Sequence, residues 1–441
     1  MTVKIVLKNI GKVHDANIEI NGITAIAGEN NTGKSTVGKA LFGIFNSLYH
    51  LNRRIKSTRR DMVRQSLEEV FYQFHSDSPY LIYGDTIIDA ILSNQDEYLN
   101  DENHAALMKL LQDECPNFLL EDNDAEADSS KEMAKALTAQ INQVLKIPKQ
   151  DIFVRFLENR MNAEFAKSIV NYHHLAEPSG IELMIKKQTL QVAFDGNKIV
   201  DAKNLMDLQT QAVYLDDPFI LDELGLNTRS AGVHRIAVSS NASTHRAYLR
   251  ACLQEMPDNN VETAMKQILV DKKIKPIMDK INDICHLEMR QEGDNVADTA
   301  FYEEGSQKVS IENISTGLKT FLILKQLLYT GHLQENGLLI LDEPEVHLHP
   351  EWQILFAEII VLLQKEFGMH ILLTTHSPYF LRAIEVYSAK YKVADCCKYY
   401  LAELKDHDAV FEDVTTATDK IYKKLVLPFE KLQGMIYHEE E

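Results

Sequence analysis

The segment Gly28-Glu-Asn-Asn-Thr-Gly-Lys-Ser35 sets two glycines, a lysine and a hydroxyl at the spacing of a loop that cradles a polyphosphate. Gly28 and Gly33 permit a sharp turn and close approach. The backbone N–H groups of Asn31 to Ser35 can wrap a β-phosphate at the start of the helix that follows, where the helix dipole favours negative charge. Lys34 is long enough to reach the β- and γ-phosphates. Ser35 offers a hydroxyl to Mg²⁺ and Thr36 one to the α-phosphate.

Two further segments supply what such a loop lacks. Leu338-Leu339-Ile340-Leu341 is an apolar strand that delivers Asp342 and Glu343 at its C-terminal end, the edge where open α/β sheets bind ligands. Asp342 is placed to hold Mg²⁺ through water, and Glu343 to polarise an attacking water. His376 follows a second apolar strand, Ile371 to Thr375, so an imidazole arrives at the same edge to donate to a γ-phosphate and orient the water. Ser315 precedes a helix whose apolar residues Leu318, Phe321, Leu322, Leu324 and Leu328 follow helical spacing. It can cap that helix, and the same geometry presents a hydroxyl and bare N–H groups to an anion.

The elements around these residues alternate. Residues 3–8 and 13–20 read as strands, Asn21-Gly22 as a tight hairpin turn, and Ile23 to Ala27 as a strand running into the phosphate loop. Val37 to Tyr49 has helical spacing. Residues 51–180 read as a helical insertion, with the acidic segment Glu121 to Ser130 as a mobile loop. Strand character returns at Ile181 to Val200 and Ala212 to Leu215, and Val261 to His286 reads as one or two helices. The last part predicts a strand near 308–312, a helix over 316–329, a strand over 338–341, a helix over 351–367, a strand over 370–375 and a helix over 378–386. The extension 389–441 holds two strands and a helix. The fold class is therefore α/β, with a nucleotide domain of parts 1–50 and 181–388 interrupted by the insertion.

The chain of 441 residues has 45% hydrophobic and 25% charged residues and a net charge of −19. This composition excludes disordered and collagen-like classes, and the overall field repels nucleic acid. Arg53, Arg54, Lys56, Arg59, Arg60 and Arg64 cluster on one helical stretch, either as a solvated face or as a face for DNA phosphates. Neither a signal-peptide pattern at the N-terminus nor a membrane-length apolar run is present, which places the protein in the cytoplasm with no membrane partner. The five cysteines form neither a disulfide framework nor a CxxC pair, and adjacent Cys396 and Cys397 read as packing residues. His347-x-His349 has no third zinc ligand at suitable spacing, and Asp406-His-Asp408 is the nearest approach to an acidic metal motif.

Taken in order, these segments resemble the ABC ATPase superfamily. Gly28 to Ser35 is similar to its Walker A loop, Asp342 and Glu343 to its Walker B pair, His376 to its switch histidine, and Ser315-Thr316-Gly317 to its signature motif, with Thr316 in place of the usual glycine. Asp342-Glu-Pro-Glu-Val-His-Leu-His-Pro350 and Thr374-Thr-His-Ser-Pro378 resemble the OLD-like branch, related to the RecF and SMC groups. The resemblance implies a P-loop fold with an antiparallel β subdomain. It also implies ATP and Mg²⁺ as ligands, with Gly28, Asn30, Asn31, Thr32, Gly33, Lys34, Ser35 and Thr36 binding nucleotide and Ser35 and Asp342 serving the metal. Lys34, Glu343 and His376 become catalytic. Ser315 and Gly317 touch the γ-phosphate held by the opposite copy of a homodimer or higher homo-oligomer, and Glu345 to His349 fall in a loop that crosses that interface. The Q-loop position falls to Gln209, Gln211 or, by preference, Asp216. A TOPRIM nuclease is not expected here, so the resemblance extends to ATPase subunits of anti-phage defence systems that control a separate nuclease or toxin. A DNA-binding clamp of the RecF and SMC kind and a nucleotide-sensing scaffold with little hydrolysis are the alternatives.

Overall fold

The computed structural model describes residues 2–438 except 75–79, 95–104, 115–123, 225–243, 256–260, 292–298 and 304–306. Its chain divides into two compact units, His50–Arg155 and the remainder. In the larger unit the strands are β1 (Val3–Ile10), β2 (Val13–Ile20), β3 (Ile23–Gly28), β4 (Ser179–Ile185), β5 (Gln188–Asp195), β6 (Lys198–Lys203), β7 (Ala212–Leu215), β8 (Glu288–Gln291), β9 (Thr299–Glu303), β10 (Gln307–Val309), β11 (Leu338–Asp342), β12 (His370–Thr375), β13 (Cys397–Lys405) and β14 (Asp408–Asp413). Helix α1 is Lys34–Leu48, and the insertion carries α2 (Leu51–Phe74), α3 (Tyr80–Ser93), α4 (Ala105–Glu114) and α5 (Asp124–Lys146), followed by α6 (Lys149–Glu164). The later helices are α7 (His245–Gln254), α8 (Val261–Asn282), α9 (Thr316–Tyr329), α10 (Pro350–Phe367), α11 (Pro378–Lys390) and α12 (Asp419–His438).

One sheet of eleven strands runs in the order β6-β5-β4-β1-β2-β14-β13-β3-β12-β11-β7. Strands β6, β5, β4, β1 and β2 pair antiparallel, and their alternating burial fits a sheet with one covered face. Strands β13, β3, β12, β11 and β7 pair parallel, and β3 and β12 are buried at every residue, as parallel strands with both faces covered must be. The register sets Ala27 beside Thr375, Asp342 beside Thr374 and Leu341 beside Leu215. Four C-terminal strand ends therefore lie along one edge, with the phosphate loop leaving from β3.

Two sequence expectations change here, and one open alternative closes. The strand expected near 308–312 is β10, which belongs to a separate antiparallel sheet β10-β9-β8 rather than to the alternating core. Its sequence lacks the apolar run that marks the buried strands. Of the acidic segment, Asp124 to Ser130 is helical, because it opens α5, whose Met133, Leu137, Ile141 and Val144 keep helical spacing; 121–123 lie outside the described residues. Val261 to Asn282 is one helix carrying Pro276. The two strands of the extension join the main sheet between β2 and β3.

The insertion has a core of its own: Val63, Leu67 and Val70 of α2 meet Ile87, Ile88 and Ile91 of α3 and the inner face of α5. Cys252, Cys285 and Cys397 are buried free thiols, and Cys115 lies outside the described residues. No described helix is long and apolar enough to cross a membrane.

Gly28 fixes how closely β13 can approach the phosphate loop. A Cβ there would stand 2.2 Å from the Ala402 carbonyl oxygen, a backbone atom that cannot swing away. Gly28→Ala is expected to cost at least about 1–3 kcal/mol through forced separation of β3 from β13. Chemical denaturation checks this, and an unchanged midpoint would contradict the tight approach.

Candidate functional site

The phosphate loop connects β3 to α1 with Asn31 and Gly33 in the left-handed region, at φ 71° and 75°. Thr32 Oγ1 donates to Glu29 O at 2.8 Å, and Lys12 Nζ donates to Asn31 Oδ1, so the loop is braced from inside and from the β1–β2 turn. Lys34 is only 4% exposed. Its ammonium donates to Gly28 O at 2.9 Å and Glu29 O at 2.8 Å and stands 3.2 Å from Glu343 Oε1. Ser35 and Thr36 keep their hydroxyls at or near the surface of the first helical turn.

Opposite the loop, β11 ends on Asp342. Thr374 Oγ1 donates to Asp342 Oδ1 at 2.5 Å, and the Tyr214 hydroxyl donates to Oδ2 at 3.0 Å. Both carboxylate oxygens are thereby held in place. Burial, then the neighbouring Asp342 charge, push the Tyr214 phenol well above its ordinary range, so it remains a donor. Glu343 has φ 51°, a left-handed conformation that costs a side chain on the order of 1–3 kcal/mol, and its amide is fixed by Thr374 O at 3.2 Å and Thr374 Oγ1 at 3.0 Å. That turn aims its carboxylate at two partners. While Oε1 faces Lys34, Oε2 stands 3.4 Å from His376 Nδ1.

Glu345 holds the histidine's loop. It is 2% exposed, and its Oε1 accepts from Thr375 Oγ1 at 2.5 Å, His376 N at 3.0 Å and Ser377 N at 3.3 Å. Burial raises its pKa against those hydrogen bonds. Sequence reasoning placed Glu345 with its neighbours in a loop crossing an interface, whereas its side chain turns inward and Val346, His347 and His349 are the exposed residues of that segment.

A cavity of about 450 Å³ opens between the two halves of the site, lined among others by Asn30, Asn31, Ser35, Asp216, Thr320, Asp342, Glu343 and His347. Asp216 brings in a second network. His245 Nδ1 stands 2.7 Å from Glu164 Oε2, its Nε2 3.1 Å from Asp216 Oδ2, and its ring stacks on Tyr214 with centroids 4.3 Å apart. Burial opposes charge on this imidazole, but the hydrogen bonds to Asp216 and Glu164 outweigh it and raise its pKa to about 9. Asp216 is likewise pushed up by burial and pulled down further by His245 and Arg246, so it is held ionised. Its Oδ1 is buried without a hydrogen-bond partner. Asp216, held ionised, lines the same cavity as the Ser35 hydroxyl and the Asp342 carboxylate, a set of oxygen donors that fits a cation.

The family described as AAA ATPase domain matches residues 1–381. The chain belongs to that family. Its α/β sheet carries the phosphate loop, the Asp342-Glu343 pair and His376 on one edge, the organisation of a P-loop ATPase domain. The probable ATPase of retron Vc95 from Vibrio cholerae serotype O1 biovar El Tor is 23% identical over 381 residues, which cover 82% of this chain and 67% of that protein. Among solved structures, an SMC head bound to the C-terminal winged-helix domain of ScpA matches with a TM-score of 0.45 and 10% identity over 95% of this chain and 98% of that one. The SMC head domain from Thermotoga maritima matches with a TM-score of 0.39 and 10% identity over 93% and 98%.

Within this ATPase domain the structure gathers Lys34, Ser35, Asp342, Glu343 and His376. It does not bring Ser315 and Gly317 to the cavity wall. Ser315 is exposed and caps α9, its Oγ accepting from Leu318 N at 3.4 Å. Gly317 has a packing reason of its own, since a Cβ there would stand 2.9 Å from the Trp352 ring and 3.1 Å from His347 O. Of the Q-loop candidates, Asp216 lines the cavity, Gln211 is taken up by His332 and Tyr248, and Gln209 bonds Asp207. In the insertion, Arg60 pairs with Asp85 and Asp89, Arg64 with Asp85 at 2.6 Å, and Arg59 donates to Ile147 O, so these members of the cationic cluster are engaged within the chain. Thr374, Tyr214, His245 and Glu164 were not legible as site residues. The sequence signals were the closeness of Thr374 and Tyr214 to strand ends and the place of Thr374 at the head of the Thr374-to-Pro378 motif, neither of which assigned a role.

The His245 network makes a signed prediction. Its folded pKa lies above the ordinary 6.5, so its stabilisation is complete below about pH 6.5 and fades as pH rises through about 9. The full effect is on the order of 3 kcal/mol. Urea denaturation of the wild type and His245→Gln should show a gap that narrows across that window; a gap independent of pH would contradict the charged triad.

Proposed function

We propose that this chain binds and hydrolyses MgATP as an OLD-like ABC ATPase, and that ATP-dependent pairing with a second copy controls an effector partner, a nuclease or toxin, in bacterial anti-phage defence. The observation that carries the nucleotide reading is the Glu343 carboxylate spanning Lys34 and His376 on the edge where Ser35 and Asp342 also meet. A γ-phosphate offers Lys34 the same negative charge that Glu343 does. Its arrival exchanges one anion for another and leaves Glu343 to take a proton from the attacking water. His376, on a loop fastened by Glu345, donates to the γ-phosphate and orients that water. Ser35 and Asp342 would hold Mg²⁺, with Thr374 and Tyr214 keeping the Asp342 carboxylate aimed. When bound there, the ion would neutralise charge on the phosphate oxygens.

The pairing follows from what one copy lacks at its cavity. Ser315 accepts one weak hydrogen bond from its own helix, and its hydroxyl proton remains for an anion presented by another copy. A two-fold pairing gives two such composite sites. Similarity to a retron ATPase supports the defence reading. The paired arginines of α2 give little support to a DNA clamp.

Glu343→Gln is expected to retain MgATP binding while turnover falls about 10²–10⁴-fold, and Lys34→Ala to lose binding itself. Steady-state hydrolysis together with fluorescent-nucleotide titration reads both. Undiminished turnover in Glu343→Gln would remove the proposed base.

A further inference from the structure

Apart from the nucleotide cavity, four side chains from three distant stretches of sequence converge in a constellation that the ATPase chemistry does not use. His14 belongs to β2, His174 and Glu177 to the loop before β4, and Asp408 to the start of β14. Glu177 spans both rings: its Oε2 stands 3.0 Å from His14 Nε2 and its Oε1 2.9 Å from His174 Nδ1. The three ligand atoms lie within 4.8 Å of one another, and the ring centroids are 4.4 Å apart. On the far side of its ring, His174 Nε2 stands 2.8 Å from Asp408 Oδ2, and Asn171 Nδ2 donates to Asp408 Oδ1 at 3.3 Å.

Ligands around a tetrahedral ion with bonds of about 2.0–2.1 Å are about 3.3 Å apart, so the nitrogen–oxygen spacings here need to open only slightly to admit one. The Asp408 carboxylate answers a further requirement. Accepting a hydrogen bond from His174 Nε2–H, it fixes the tautomer that leaves the Nδ1 lone pair facing His14 and Glu177, the carboxylate–histidine arrangement that backs metal ligands. From sequence, Asp406-His-Asp408 was only the nearest approach to an acidic motif in which both carboxylates would serve one metal. Instead Asp406 lies in the hairpin turn at φ 59°, and Asp408 acts through His174.

We propose that His14 Nε2, His174 Nδ1 and Glu177 bind one divalent transition-metal ion of the zinc class, with Asp408 as the residue that positions His174. Two imidazoles and one carboxylate select zinc-class ions over Mg²⁺ and Ca²⁺, which take oxygen ligands. Three protein ligands leave the fourth position open to water or to a group from a partner. His14 and Glu177 are about half exposed, so the ion has a path in. Bound there, it ties β2 to the loop before β4, and Asp408 extends the tie to β14.

The test uses the full chain, stripped with a chelator and free of nucleotide, so that its outcome does not depend on the ATPase reading. Zn²⁺ is titrated in competition with a chromophoric chelator, and Co²⁺ is followed by its visible absorption. One equivalent is expected, with the intense absorption of a four- or five-coordinate Co²⁺ site and a raised melting temperature in Zn²⁺. His14→Ala, His174→Ala and the milder Glu177→Gln should each abolish the absorption while metal-free circular dichroism stays that of the wild type. Asp408→Asn should weaken Zn²⁺ binding about 10–100-fold, and a variant lacking both His347 and His349 should bind as the wild type does. The site is overturned if the intact chain binds no equivalent of Zn²⁺, if binding survives in folded Glu177→Gln and His174→Ala, or if it is lost with His347 and His349. Unchanged affinity in Asp408→Asn overturns the positioning role.

Discussion

A single carboxylate shared between an ammonium and an imidazole organises the functional edge. Glu343 meets Lys34 with one oxygen and His376 with the other, and these three residues leave the ends of β11, β3 and β12. The arrangement exists only because parallel pairing brings those strand ends into register, Asp342 beside Thr374 and Thr375 beside Ala27. A slip of one residue on any of them would turn the side chains to the opposite face. The left-handed turn at Glu343 is the local strain that this geometry requires, and it is held by the Glu343 amide donating to both Thr374 O and Thr374 Oγ1.

The carboxylate also links the site to the surface. Two residues beyond Glu343, Glu345 gathers the hydroxyl of Thr375 and the amides of His376 and Ser377. The next two residues, Val346 and His347, are exposed, and His347 borders the cavity. Displacement of that surface segment must therefore move either the Glu345 carboxylate or the loop it grips, because a buried carboxylate cannot give up three donors without a large desolvation cost.

What was legible in the sequence was local. The phosphate loop, the Asp342-Glu343 strand end and His376 each declare themselves through a few consecutive residues, because an apolar run followed by a polar residue fixes both the strand and the edge where it ends. Contacts that depend on pairing across long sequence distances were not legible. Strand β13 slots beside β3 through Ala402 and Gly28, and β14 beside β2, although the extension read only as two strands and a helix. Glu164 reaches His245 across 81 residues, and no local pattern marks either as a partner. The strand at 307–309 misled because a short polar strand has the same alternation whichever sheet receives it.

The same limit applies between copies: Ser315 reads as a phosphate contact, yet one chain keeps it out of the cavity that holds Ser35 and Asp342. Mixing Lys34→Ala with Ser315→Arg, each inactive alone, tests this directly. A mixed pair assembles one composite site from the intact Ser315 of one chain and the intact Lys34 of the other, so turnover should return to roughly a quarter of the wild-type rate at equal mixing. If the mixture stays inactive while the wild type hydrolyses ATP and the two variants demonstrably pair, the composite site is refuted.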